Sequence, residues 1–167
     1  MGRSVVIFAI LLTFFSLSML PMSVVRATTI SGTYTGVGVT YSSQAGPNGL
    51  TFYHSGGNLT YLVGRWVGHS TYIELDMVYS NGSGTCRGIE TFDGSFDGSP
   101  PGSITGMYTC TLTPSGYAYG PETYSGGSFG LAGLQVVETW QTQPTTCNSA
   151  GTICADMGNY TITSATR

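Results

Sequence analysis

Lysine is absent from the chain, and beyond Ala27 arginine occurs only as Arg65, Arg87 and Arg167, against eight acids, so that stretch carries a net charge of −5 with histidine neutral. Phosphate-binding surfaces are built from clustered Lys and Arg, so nucleic acid and anionic lipid surfaces are set aside as partners. Charged residues make up 8% of the sequence against roughly 25% in ordinary domains, with Gly, Ser, Thr and Tyr in their place. Two histidines, no Cys-x-x-Cys and no His-x-x-x-His leave no ligand spacing for zinc, and no cofactor is expected. No helical periodicity is evident. Beyond residue 27 no apolar run is long enough to span a bilayer, so no stable membrane insertion is expected once the leader is removed.

The leader is residues 1–27. Arg3 supplies a positive start, Val5 to Leu20 is an almost unbroken apolar run, and Val25-Arg26-Ala27 places small residues where a signal peptidase reads. The mature chain is expected to begin near Thr28 and to be secreted, extracellular or periplasmic. About 140 residues remain, enough for one domain with a modest core. Eleven Tyr, two Trp and repeated Val, Ile and Leu argue for a folded β-protein rather than a disordered Gly/Ser-rich chain.

Strand patterns recur at short intervals. Ile30 to Tyr41 alternates, and a loop with Pro47 follows. Leu59 to Val67 places Leu59, Tyr61, Val63 and Val67 on one face, with a turn expected at Gly68-His69. Thr71 to Tyr79 sets Ile73, Leu75, Met77 and Tyr79 against Tyr72, Glu74 and Asp76. Asn81-Gly82 signals a hairpin into Gly84 to Cys110, in which two strands flank DGSPPGS and two cysteines lie at nearly equal distances from the turn. There Cys86, Glu90, Phe92 and Phe96 share one parity, as do Ile104, Tyr108, Cys110 and Leu112, with Gly106 opposite Glu90. The segment after Leu112 reads as loop with one edge strand near Tyr117 to Tyr119. Leu134, Val136, Glu138 and Trp140 then share a face, Pro144 ends the run, and a short strand at Tyr160 to Ile162 closes the tail. The chain thus divides into a leader (1–27), an antiparallel β-domain (28–143) and a disulfide-closed tail (144–167). Seven or eight short strands fit an eight-stranded antiparallel barrel or a β-sandwich; closure would remove edge strands open to aggregation. Four cysteines in an exported chain favour disulfides, and of three possible pairings spacing favours Cys86 with Cys110 and Cys147 with Cys154.

A strand ending in GIE, the FDGSFDG turn with the GS-x-x-G strand after it, and GGSFGLAGL before a strand ending in Trp140 together resemble the allene oxide cyclase-like barrel superfamily. The resemblance is to its uncharacterised bacterial branch, with dirigent proteins as distant relatives, and covers roughly Ile30 to Trp140. It implies an eight-stranded antiparallel barrel around a central apolar cavity. Glu90 falls at a recurrent glutamate of that branch, and Gly127, Gly130 and Gly133 in its glycine-rich turn. The cysteines and the tail from Cys147 to Arg167 lie outside the pattern.

Glu90 is the candidate catalytic residue, because a carboxylate among apolar parity mates must be paired, hydrogen-bonded or neutral. Its expected partner is Arg65 or a lumen tyrosine such as Tyr108, and its pKa is expected above the free value. Glu138 shares an apolar face in the same way, whereas Glu74 and Asp76 are expected on a solvated outer surface. Tyr108, Phe92, Trp66, Trp140 and Arg65 are candidate ligand-lining residues; if the aromatic ones fill the interior, no guest fits. Gly126-Gly127-Ser128-Phe129-Gly130 matches a nucleophile-elbow pattern but lacks a following helix, and both histidines precede it. Asp93 and Asp97 read as turn residues and His54 and His69 as solvated. Sequons at Asn58, Asn81 and Asn159 accept glycans only in a glycosylating host. Two functions follow: a barrel holding a hydrophobic small molecule, extended by the resemblance to cofactor-free cyclisation or coupling of an isomerase kind, or a non-catalytic surface module contacting glycans or proteins through exposed Tyr and Trp.

Overall fold

The computed structural model describes residues 30–143 and 146–167; the leader at 1–27 and the break at Pro144 lie outside the described residues. Eight strands follow one another as β1 (Ile30–Ala45), β2 (Leu50–Val63), β3 (Trp66–Tyr79), β4 (Gly84–Phe96), β5 (Gly102–Leu112), β6 (Ala118–Ser125), β7 (Gln135–Thr142) and β8 (Ile153–Thr166). Each pairs antiparallel with the next, and β8 returns to β1, giving a closed barrel in sequence order. Closure pairs every edge, which a Thr- and Tyr-rich sheet with few charges needs to stay unaggregated.

Period-two alternation assigns each side chain to the lumen or the outer wall. On β5, Ile104, Gly106, Tyr108 and Cys110 are buried and alternate with exposed Thr105, Met107 and Thr109. Strand β4 matches it in register, with Cys86 opposite Cys110 and Glu90 opposite Gly106. Both expected disulfides are present, Cys86–Cys110 and Cys147–Cys154. The hairpin at Asn81-Gly82 is held by the Asn81 side chain, whose Oδ1 accepts from the Ser83 N–H at 2.9 Å.

Four local expectations are corrected. The reversal between β2 and β3 falls at Gly64-Arg65, not at Gly68-His69, and puts Val63 and Val67 on the outer wall. Tyr160 secures that reversal: its hydroxyl accepts from the Trp66 N–H and donates to the Val63 carbonyl, each at 3.3 Å. On β3 the apolar set faces outward, with Ile73 62% exposed, while Tyr72, Glu74 and Asp76 face the lumen. Parity was legible there but its direction was not, because hydrophobicity alone assumes an apolar inside. The third correction is β6, a full strand between two neighbours; Pro121 is tolerated because β5–β6 pairing lapses between Tyr108↔Glu122 and Thr111↔Tyr119. The fourth is the tail, which supplies β8, fourteen residues long, and so belongs to the barrel.

One end of the lumen is solid. Trp66 packs against Phe92 at 4.6 Å, Phe96 at 4.5 Å and Tyr124 at 5.1 Å between ring centres. Ile104, Leu131, Leu134, Val136 and Ile162 complete this plug. Burying side chains of this size is worth roughly 1.5–3 kcal/mol each, with a further ~0.5–1.5 kcal/mol for well-placed aromatic pairs. Because β8 pairs with both β1 and β7 and carries Tyr160 and Ile162 into the plug, a chain ending at Gln143 is expected to lose cooperative unfolding and the near-ultraviolet circular dichroism of its aromatic residues. A truncated protein with native spectrum and transition would contradict this.

Candidate functional site

Opposite the plug the lumen opens into a cup of about 270 Å³. Its construction follows from strand register. One row across the wall runs Tyr72, Glu90, Gly106, Tyr124, and the next runs Glu74, Gly88, Tyr108, Glu122, Glu138. Each row holds one glycine beside a tyrosine. A Cβ at Gly88 would strike the Tyr108 ring, so its absence lets that ring cross the wall and donate to Glu74 at 3.0 Å. At Gly106 a Cβ would lie 2.6 Å from Glu122 Oε1 and 2.7 Å from the Tyr124 ring.

Six carboxylates line the cup: Glu74, Asp76, Glu90, Glu122, Glu138 and Asp156. That is six of the eight acids in the sequence, and among the described residues no Lys, Arg or His lines the cup with them. Glu90 sits at the floor, 4% exposed. It accepts from the Tyr61 hydroxyl at 2.6 Å and the Tyr124 hydroxyl at 3.1 Å. Glu138 accepts from the Trp66 indole N–H at 2.9 Å, tying the floor to the plug. Higher on the wall Tyr72 donates to Asp156 at 2.7 Å and Ser55 to Asp76 at 3.0 Å. Glu122 is the exception: it is 3% exposed and its Oε1 has no hydrogen-bond partner among the described residues. The Tyr124 hydroxyl is near enough to favour the charged form of Glu122, but its hydrogen bond goes to Glu90.

Burial dominates the ionisation of these groups. It pushes Glu138 up to about 8 against the Trp66 hydrogen bond, and Glu74 up to about 8, where nearby Asp76 adds to the rise. Asp76 is pushed up to about 6. Glu90 is raised by burial and held back by the hydroxyls of Tyr61 and Tyr124, with that of Ser70 close by but outside hydrogen-bond geometry. Glu122 is raised well above the usual carboxylate range by burial and then by Glu90 and Glu138. Burial and the surrounding carboxylates keep Tyr61 and Tyr124 protonated, so both act as donors.

The expected site residues separate. Glu90, Tyr108 and Trp140 line the cup. Trp66 and Phe92 lie beneath it, fully buried in the plug, and so do not line the cavity. Arg65 is outside the lumen at the β2–β3 turn, where it pairs with Asp97 at 2.8 Å and lies 4.5 Å over the Phe96 ring. It therefore does not neutralise Glu90, whose partners are Tyr61 and Tyr124, while Tyr108 serves Glu74. A lumen tyrosine does serve Glu90, as expected, but Arg65 and Tyr108 are not its partners, because residues that meet across a barrel lie on strands far apart in sequence. Glu122 and Asp156 went unnoticed; the signal was parity with Tyr124 and with Tyr160 respectively. His54 and His69 are exposed, as are the three sequon asparagines. After Gly126 the chain makes only a 3-10 turn, Phe129–Leu131, so Ser128 has no nucleophile-elbow geometry. Glu74, Asp76 and Cys86 approach within 4.8 Å, but Cys86 is in a disulfide and offers no thiolate, so this trio does not fit a metal.

Fold and site together define an eight-stranded antiparallel barrel, plugged at one end and hollowed into an acid-lined cup at the other. No family model matches the chain, and no curated protein matches it significantly. Among solved structures it is similar to a protein of unknown function of the DUF3224 family from Shewanella oneidensis. The TM-score is 0.58 at 15% identity, over 81% of this chain and 95% of that one. At that identity the likeness concerns the fold. The two disulfides are consistent with an oxidising, non-cytoplasmic compartment, and no helix among the described residues is long and apolar enough to cross a membrane.

A carboxyl whose folded-state pKa exceeds its unfolded value keeps its proton longer in the folded state. Stability is then greatest below the unfolded pKa and falls as pH rises towards the folded one, by up to about 1.4 kcal/mol per pH unit and group. For Glu138 the window runs from 4.5 to about 8. The melting temperature is therefore expected to fall between pH 5 and 8, and Glu138→Gln, which keeps an acceptor for Trp66, should flatten that slope. Calorimetry across this range checks it; a wild-type melting temperature that rises with pH would refute the assignment.

Proposed function

We propose that the protein is an exported small-molecule carrier or receptor that holds its guest in the cup. The observation that carries this reading is the cavity itself, a wall of aromatic and carboxylate side chains open at one end of an otherwise solid barrel. Ligand sites are typically concave, largely preformed and mostly apolar with a few convergent polar groups, and the tyrosine-and-tryptophan wall with Glu90 at its floor has that character. The resemblance to allene oxide cyclase-like barrels supports the same reading. If the guest is also transformed without a cofactor, as that resemblance implies, Glu90 is the group to exchange a proton with it, and Tyr61 and Tyr124 would steady the charge that results.

The surface-module alternative has lost half its chemistry, since Trp66 is buried and Trp140 faces the cup. Exposed tyrosines such as Tyr41 and Tyr79 remain on the outside.

Ala118 lines the mouth of the cup, where a large side chain would block entry without entering the plug. Wild-type protein is expected to enhance the fluorescence of the neutral probe N-phenyl-1-naphthylamine, and Ala118→Trp to abolish the enhancement while far-ultraviolet circular dichroism stays native. Organic extraction and mass spectrometry of protein from its native host should return a stoichiometric small molecule. A blocked variant that binds the probe as well as wild type would remove the cup from consideration.

A further inference from the structure

The cup's charge is one-sided. Six carboxylates line it, no cationic side chain among the described residues accompanies them, and Arg65 is spent on Asp97 outside the lumen. Neutral hydroxyls and an indole serve five of the six acids, whereas Glu122, which also lines the cup, has a buried Oε1 that no donor among the described residues serves. A second unsatisfied atom belongs to another residue of the lining: among the described residues the buried indole N–H of Trp140 has no acceptor. Buried polar atoms are ordinarily paired, so two orphans on residues of one cavity wall leave hydrogen-bonding capacity that a guest takes up when those side chains turn towards it. The aromatic component matters as well. Tyr34, Tyr72, Tyr108 and Trp140 line the same cavity, and the faces of such rings attract cations.

Resting on the cup as the binding site, we infer that its guest is an organic ammonium compound, an amine or quaternary ammonium on a small body that also carries a hydrogen-bond acceptor. The ammonium group supplies the missing positive charge to Glu122 and its neighbours, the body lies against the aromatic wall, and the acceptor meets Trp140. A bare metal ion suits the site less well, because the acids are spread around the wall on different strands and each except Glu122 already holds a hydroxyl or indole donor. Binding has a chemical signature. A carboxyl that is neutral in the empty cup gives up its O–H proton to solvent and becomes the carboxylate that pairs with the ammonium, so association of a cation releases protons and association of a neutral analogue does not.

The test is isothermal titration at pH 7 in two buffers of different ionisation enthalpy, with 2-phenylethylammonium, 2-phenylethanol and phenylacetate as probes of one size. The ammonium is expected to bind about tenfold or more tightly than the alcohol, with buffer-dependent heat, and phenylacetate most weakly. Glu122→Gln should lose several-fold in ammonium affinity and little in alcohol affinity; Asp156→Asn is the second variant, and Asp93→Asn on the outer wall is the control. Equal affinities for ammonium and alcohol, or heats independent of buffer, overturn the inference while leaving the cup as a binding site. Calcium or zinc that displaces the ammonium stoichiometrically overturns it in favour of a metal. Failure of all three probes and of the neutral fluorophore would sink the cup itself, and the inference with it.

Discussion

Closing a sheet on itself forces every strand to send half its side chains into a space of fixed width, whatever their chemistry. In this barrel that constraint sorts the interior by height. Aromatic and aliphatic side chains fill one end to a solid plug around Trp66, and the remaining inward positions, many of them acidic, form the cup. The plug supplies apolar burial, while the acids cost solvation that their hydroxyl and indole partners offset only in part. The two halves are joined by hydrogen bonds from the plug to the floor, Trp66 to Glu138 and Tyr61 and Tyr124 to Glu90, so the packed core also fixes the floor of the site.

Glycines set the shape of that floor. With no side chain at Gly88 and Gly106, the rings of Tyr108 and Tyr124 can lean across the strand pairs and bring their hydroxyls to Glu74 and Glu90. Glu74 and Glu90 are thereby held in place by neutral hydroxyls. The Cys86–Cys110 disulfide lies on the same inward face, nearer the mouth, and ties β4 to β5 where the pair would otherwise fray first. The second disulfide closes the loop that leads into β8, the strand that completes the ring. If the cup holds a guest as proposed, a cavity already formed in this way leaves little ordering entropy to be lost when the guest enters.

An acid-lined cavity of this kind is unstable towards charge rather than towards unfolding. Burial drives the carboxyls to keep their protons, and anything that brings a positive charge into the cup reverses that preference. Proton binding and stability are linked through these side chains, and the proposed guest would be linked through them as well. An apolar guest would leave this linkage idle, so the chemistry of the lining narrows the expectation of a purely hydrophobic ligand.

Much of the architecture was legible in the residues. The all-β class, the Gly84 to Cys110 hairpin, both disulfides, and the inward parity of Glu90 and Glu138 follow from alternation, turn chemistry and cysteine spacing, which are local. What alternation could not supply was direction and distance. It separated Ile73 from Glu74 without saying which faced in, and it could not bring Glu122 of β6 or Asp156 of β8 to the same cavity as Glu90 of β4. It also assigned Arg65 to Glu90 because no other arginine lay on a suitable strand, whereas the turn at Gly64 sends that side chain out to Asp97. Sequence by itself determined the strands and their two faces, because a strand's period is a property of its own backbone. Tertiary structure alone decided which face was inside and which acids met, because closure joins strands that are remote in the chain and lets one aromatic plug choose the interior for all eight.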